Sequence, residues 1–361
     1  MTMRQHPTPR SALQVPDLLR AARPVRHQQG LTLVELMVAM ALSLVITLAA
    51  AAALVVSRQG FTAVDSSSQL RDNGRFIADL LQRLGGQTGY KNAGYAMEEM
   101  AENGDPILMD GKDSNPEASV MGVNNGKWSS GTDFDWGKSV TSVSGSSDIL
   151  IFRYLTSIEF TDSAGKKQTG MINCAGNPID GDPTDKNDRS ISVLYVGTSP
   201  NNTEPALMCA SGLSKNVGDP QPLIQGVENF QVLYGVDRVT PNTATVADAA
   251  KDDAVPDRYL RADQITVSGN TKETNANWRR VRSIRVGMVL RGDVGAAVDR
   301  TAQTFYPFGK AKASSTGTEG SAFASSSDPG TIFSPTPDGR LRQAVTFTIH
   351  LRNDQKNGFE K

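Results

Sequence analysis

Glu35 is the one charged residue between Leu31 and Val56, a run of 26 otherwise uncharged residues reading LTLVELMVAMALSLVITLAAAAALVV. A carboxylate in a segment apolar enough to cross a bilayer costs a few kcal/mol by insertion scales, so it is usually kept for a partner. The chemistry open to it is charge pairing with a cation drawn into the same apolar surroundings, where either group alone is expensive. A second acidic group is DGDPTDKND, which places Asp180, Asp182, Asp185 and Asp188 within nine residues. Closely spaced oxygen ligands suit Ca2+. The segment lacks the glycine and the closing glutamate of an EF-hand loop, and a solvated turn is the plainer reading.

Catalytic groups are scarce. The three histidines are His6, His27 and His350. His350 lies in an alternating strand pattern, as a solvent-facing residue would, and no G-x-S-x-G turn accompanies it. The two cysteines, Cys174 and Cys209, form no C-x-x-C motif. In an exported chain such a pair is expected to be oxidised to a disulfide. The segment WRRVRSIR holds four arginines that alternate along a strand, so a solvated face is expected rather than a nucleic-acid site. The net charge of −1 over 361 residues gives no global attraction to nucleic acid. No cofactor is expected apart from the weak calcium candidate, and the composition points away from an enzyme.

The elements around Glu35 are legible. Residues 1–30 carry Arg4, Arg10, Arg20, Arg23 and Arg26 against Asp17, with four prolines that oppose a stable helix. Basic flanks stay on the cytoplasmic side, so the bulk of the chain is expected outside. About 20 apolar residues span a bilayer, and the run after Gly30 suffices. An ordinary secretory signal has a shorter apolar core, of about 7–15 residues. A plain anchor accounts for the length but for neither Gly30 nor Glu35.

Gly30, an apolar Leu31, then Thr-Leu-Val-Glu resembles the prepilin signal of type IV pilins and of type II secretion pseudopilins. The resemblance implies cleavage between Gly30 and Leu31 by a prepilin peptidase, N-methylation of Leu31, and a filament-docking role for Glu35. Leu31 stands where phenylalanine or methionine is commoner, but methylation acts on the amine. The exposed α-amino group, with a reference pKa of ~7.7–8.0, and a glutamate near ~4.3 carry opposite charges at neutral pH. The amine of one subunit and Glu35 of its neighbour would then neutralise each other in the filament core. Such a pair fixes register more than it adds stability.

No proline occurs between Leu31 and Asp105, so the helix can continue beyond the membrane. Phe76, Ile77, Leu80, Leu81 and Leu84 recur at helical spacing, and Gly85-Gly86 should end the run. A helix over 31–84 would be about 80 Å long. Its 31–56 part is apolar all round and its 57–84 part amphipathic, with Gly60 and Gly74 expected to bend or melt it. Residues 85–361 read as an exported β domain. Its strand signals are DILIFRYL, SIEFTD, ISVLYVG, PALMCA, GVENFQVLYGVD, VRSIRVGMVLRGD and AVTFTIHLRN. Period-two alternation predicts antiparallel sheet with one wet face. Loop insertions are expected at about 96–140, with a short helix near Ala96–Ala101, and at 240–277 and 312–339. Trp128 and Trp136 are expected to pin the first of these to the core. The fold class expected is α+β, a long pilin helix on an antiparallel sheet.

PLIQGVENFQVLYGVD, VRSIRVGMVLRGD and LRQAVTFTIHLRN, with the spacing of the two cysteines, resemble PilW-type minor pilins of type IV pili. That resemblance implies a single-pass protein of the inner membrane that joins other minor and major pilins in a tip complex priming pilus assembly. The alternatives are a J-like minor pseudopilin of type II secretion, an exported adhesin or DNA-uptake pilin, and an enzyme on a signal anchor.

Overall fold

A computed structural model of the chain describes residues 30–90, 118–128, 140–142, 147–156, 160–161, 163, 165, 167–179, 189–198, 203–213, 216–245, 253–297, 299–309 and 332–353. It divides into two units, residues 1–56 and 57–361. One helix, α1 (Leu33–Gln87), contributes to both.

In the first unit every described residue is exposed, with Leu31 76% and Ile46 68% accessible. A greasy surface of this extent needs lipid or other apolar helices around it. By length and composition α1 is the one helix among the described residues able to cross a membrane.

In the second unit α1 is one-sided. Ser66, Leu70, Gly74, Ile77, Leu81, Leu84 and Gly85 are buried. Steps of three and four residues place them on one stripe. This corrects part of the expected stripe, because Phe76 is 52% exposed and Leu80 only partly buried. Both Gly60 and Gly74 are helical, contrary to the local melting expected of them. Gly74 instead allows close approach: a Cβ there would lie 3.0 Å from Val345 Cγ2. Gly85 does not end the helix either. A Cβ on it would overlap Ile349 Cγ2, so its bare Cα is what allows helix and sheet to approach there. The turn ends at Gly89, which has φ 74°. Asn353 Nδ2 donates to the carbonyls of Gly86 (3.1 Å) and Thr88 (2.9 Å), so the far end of the chain caps the helix.

The helix packs on antiparallel sheet. The strands are β1 (Val120–Val123), β2 (Gly126–Trp128), β3 (Val140–Ser142), β4 (Ile149–Tyr154), β5 (Phe160–Thr161), β6 (Lys167–Gln168), β7 (Ser190–Thr198), β8 (Pro205–Leu213), β9 (Asn216–Val217), β10 (Gln221–Gln225), β11 (Val227–Val236), β12 (Arg258–Leu260), β13 (Val281–Val294) and β14 (Arg340–His350). One sheet runs β1-β4-β7-β8-β10, with β9 beside β8, and a second runs β12-β11-β13-β14. In the second sheet Val286 lies between Val232 and Phe347.

Alternation sorts the side chains. Phe230, Val232, Tyr234, Ile284, Val286 and Met288 join Ile77, Leu81 and Leu84 in the main core, together with Leu150, Phe152, Leu194 and Leu207 of the first sheet. The intervening residues Ile149, Ile151, Ile191, Val193, Met208 and Ala210 form a second core on the other face, closed by Trp128. The central strands β4, β7 and β8 of the first sheet are therefore dry on both sides over most of their length, and the single wet face expected from alternation is corrected there. The second sheet is also partly covered on its far side. A Cβ on Gly287 would lie 2.8 Å from Pro307, and Val289 is fully buried.

Two expected loops contain structure. Within 96–140, β1 and β2 pair with β4 and β3 respectively, and Val120 is fully buried. Ala96–Ala101 and Trp136 lie outside the described residues. Within 240–277 lie β12 and the helices α2 (Ala262–Ile265) and α3 (Thr271–Trp278). Its polarity misled, because the polar groups satisfy backbone. Asn277, fully buried, donates to the carbonyls of Thr243 (3.0 Å) and Ile265 (3.1 Å) and accepts from Thr245 Oγ1 (2.8 Å). Asn270 caps α3 by accepting from the Glu273 N–H at 3.1 Å. Trp278 then meets Tyr234 edge-on, centroids 4.7 Å apart. Of 312–339, residues 332–339 are described, and Phe333 bridges Phe305.

Candidate functional site

The segment from Gly30 to Glu35 has a built local geometry. Thr32 precedes the first helical residue, and its N–H and hydroxyl both donate to Glu35 Oε2 at 2.9 Å. The Glu35 N–H donates back to Thr32 Oγ1 at 3.3 Å. This reciprocal pattern is a capping box, T-x-x-E, which satisfies donors that the helix leaves open. Placing a carboxylate in the first turn also suits the helix dipole. Thr32 is the partner of Glu35 that the reading of the sequence missed, although Thr32-Leu33-Val34-Glu35 carries the capping signal in plain view. Gly30 has no atom near its Cβ position within 4 Å. Packing in this chain therefore does not demand glycine at position 30.

Cys174 and Cys209 are joined in a disulfide, Cα atoms 5.8 Å apart, and no described cysteine is free. Cys209 lies inside β8, and Cys174 lies on the segment before β7, where its N–H donates to Ser192 Oγ at 3.0 Å. Both are buried in the main core.

Charged groups clasp the two sheets at one end. Arg291 of β13 pairs with Glu204, just before β8, and with Glu228 of β11 at 2.8 Å. Arg340 reaches Glu204 at 2.7 Å, while Arg342 binds Glu228 at 2.6 Å and Asp338 at 2.7 Å. Burial opposes the Glu204 charge, but hydrogen bonds from Arg291 and Arg340 outweigh it and hold the carboxyl below its ordinary range. The Arg342 hydrogen bond does the same for Asp338. Stability from these two carboxylates is present above their unfolded pKa values and lost as acid protonates them.

The other candidates are not brought together. His350 is exposed on β14. Asp180, Asp182, Asp185 and Asp188 lie outside the described residues. No group of three or more His, Cys, Asp or Glu side chains among the described residues is placed to hold a metal. The arginines of WRRVRSIR are engaged within the fold rather than forming a solvated face. Arg282 lies 3.7 Å from buried Asp237, Arg280 donates to the Asp237 carbonyl, and Arg285 stacks over Tyr259.

The prokaryotic N-terminal methylation motif matches residues 25–51, around the Thr32–Glu35 box. The model of the type IV pilus-assembly protein W family matches residues 193–353, from β7 to the end of the second sheet. A type IV-like pilin from Thermus thermophilus is a solved structure similar to this chain at 13% identity and a TM-score of 0.39, covering 80% of this chain and 98% of its own. No curated protein matches the chain. A methylation signal heading a long apolar helix, whose second half packs on antiparallel sheet, defines a type IV pilin-like protein. Within that class the match over 193–353, together with the methylation motif, supports a PilW-type minor pilin of type IV pilus assembly.

Proposed function

We propose that prepilin peptidase cuts this chain after Gly30 and methylates Leu31, and that the mature chain enters a tip complex that primes pilus assembly. The observation that carries this reading is the capped Glu35 at the head of an exposed apolar helix. Before assembly the chain sits in the inner membrane with residues 57–361 on the periplasmic side, as the basic leader directs. In the filament core the Glu35 carboxylate turns to the α-amino group of a neighbouring minor or major pilin. The β domain then selects which neighbours fit. The role is non-catalytic and needs no cofactor; calcium on the Asp180–Asp188 segment would be an addition to it.

The test is a strain lacking this chain, scored for surface pili and for secretion of exported proteins. Loss of most pili with secretion intact is expected. Normal pili with failed secretion would make the chain a pseudopilin of type II secretion instead.

A further inference from the structure

Asp148 is a buried carboxylate that the proposed function does not use. It is 3% exposed and precedes β4 of the first sheet. On the edge of β11 that faces away from β13, β12 pairs only with Tyr234–Val236. Ser147 and Asp148 take over where β12 stops. The Asp148 N–H donates to the Phe230 carbonyl at 2.7 Å, and Ser147 Oγ accepts from the Phe230 N–H at 3.1 Å. Asp148 Oδ2 accepts from the Val232 N–H at 2.8 Å. Its Oδ1 accepts from the N–H of Asn125, in the β1–β2 turn, at 2.8 Å. One carboxylate thus joins the two sheets through main-chain donors on both sides.

Its surroundings are polar but hold no cation in contact among the described residues. Turned with its NH2 toward the carboxylate, the Gln231 amide adds donors at 3.2 and 3.3 Å. Tyr234, fully buried in the same core, has its phenol pushed well above the ordinary range by burial, with the Asp148 charge adding to the effect. From α2 and the residue before it, Asp263 and Arg261 act on Asp148 in opposite senses. Those two are paired to each other at 3.1 Å.

We propose that Asp148 is a proton-operated latch between the two sheets: ionised, it holds both the Val232 and the Asn125 N–H groups, and on taking up a proton it gives up its grip on one of them. A protonated carboxyl must spend one oxygen as a donor, and both oxygens face donors here. Burial pushes the carboxyl up to about 7, against the two backbone N–H bonds that favour the anion. The latch therefore works near neutral pH, where ordinary carboxylates stay charged. The sign follows from proton counting. Between the unfolded value near ~4 and the folded value, the folded state binds the extra proton. Global stability from this group therefore rises as pH falls through that window, while one local hydrogen bond weakens.

That opposition makes the test specific. Amide exchange of the full-length chain in detergent micelles, corrected for intrinsic rates, is followed from about pH 8 to about pH 5.5. Protection of the Val232 or Asn125 amide is expected to fall about tenfold on acidification, the worth of one hydrogen bond. The Val286 amide, in the centre of the sheet, should not lose protection. Asp148→Asn should abolish the pH step. Unchanged protection at both amides, or the same step persisting in Asp148→Asn, would overturn the proposal. If the variant does not fold, the wild-type measurement decides alone.

Discussion

Glu35→Ala is expected to insert and to be cleaved as the wild-type chain is, yet to lose its place in the pilus tip. Insertion needs no anion in the apolar run and should improve slightly without one. Cleavage falls on the other side of Thr32, which does not depend on the carboxylate. On the proposed docking, assembly does depend on it, because an incoming α-amino group would be buried without its partner, a loss of about 3–5 kcal/mol for a broken buried pair. Co-purification with other pilins and surface piliation, measured in a strain lacking the wild-type copy, should fall by at least about tenfold. The capping box adds a discriminating variant. Glu35→Gln keeps an acceptor for the Thr32 N–H and hydroxyl, and glutamine serves in a capping box as glutamate does. Glu35→Gln is therefore expected to fall between wild type and Glu35→Ala. Normal piliation in Glu35→Ala would remove Glu35 from docking.

The second large effect belongs to the disulfide. The Cys174–Cys209 bridge spans a sequence separation of 35. In the chain-entropy model a loop of that size stabilises by roughly 3–4 kcal/mol. Cys174→Ser with Cys209→Ser should lower the urea midpoint of the full-length chain accordingly. The loss should be at the upper end of the usual ~2–5 kcal/mol, because both sulfurs lie in the main core and the serine hydroxyls would be buried there. Alkylation of native protein should find no free thiol. A midpoint unchanged in the double variant would show that the bridge does not constrain the fold.

What the sequence disclosed follows from how each residue meets its surroundings. The run after Gly30 is visible because it is apolar throughout, and the strands β4, β7, β8, β11, β13 and β14 because they are short apolar runs, alternating with period two in β13 and β14. Glu35 stood out by contrast with its neighbours. Phe76 was misplaced because five apolar residues in nine cannot all face one sheet, and the register is set by Gly74 and Gly85 against Val345 and Ile349. Residues 240–277 looked loose because composition does not show that Asn242, Asn270 and Asn277 spend their side chains on backbone groups. The covering of Gly287 by Pro307 is a long-range contact that no local period announces. The clasp of Glu204, Glu228, Arg291, Arg340 and Arg342 is likewise assembled from positions far apart in sequence.

Mass spectrometry of the N-terminal peptide from the mature membrane or pilus fraction reads the processing site itself. The expected chain begins at Leu31, carries one added methyl group on its α-amine, and reads on through Thr32 and Glu35. Gly30→Val should leave the same fraction with the leader still attached. A mature chain beginning near Ala53, or an unprocessed chain in wild-type cells that make pili, would contradict it.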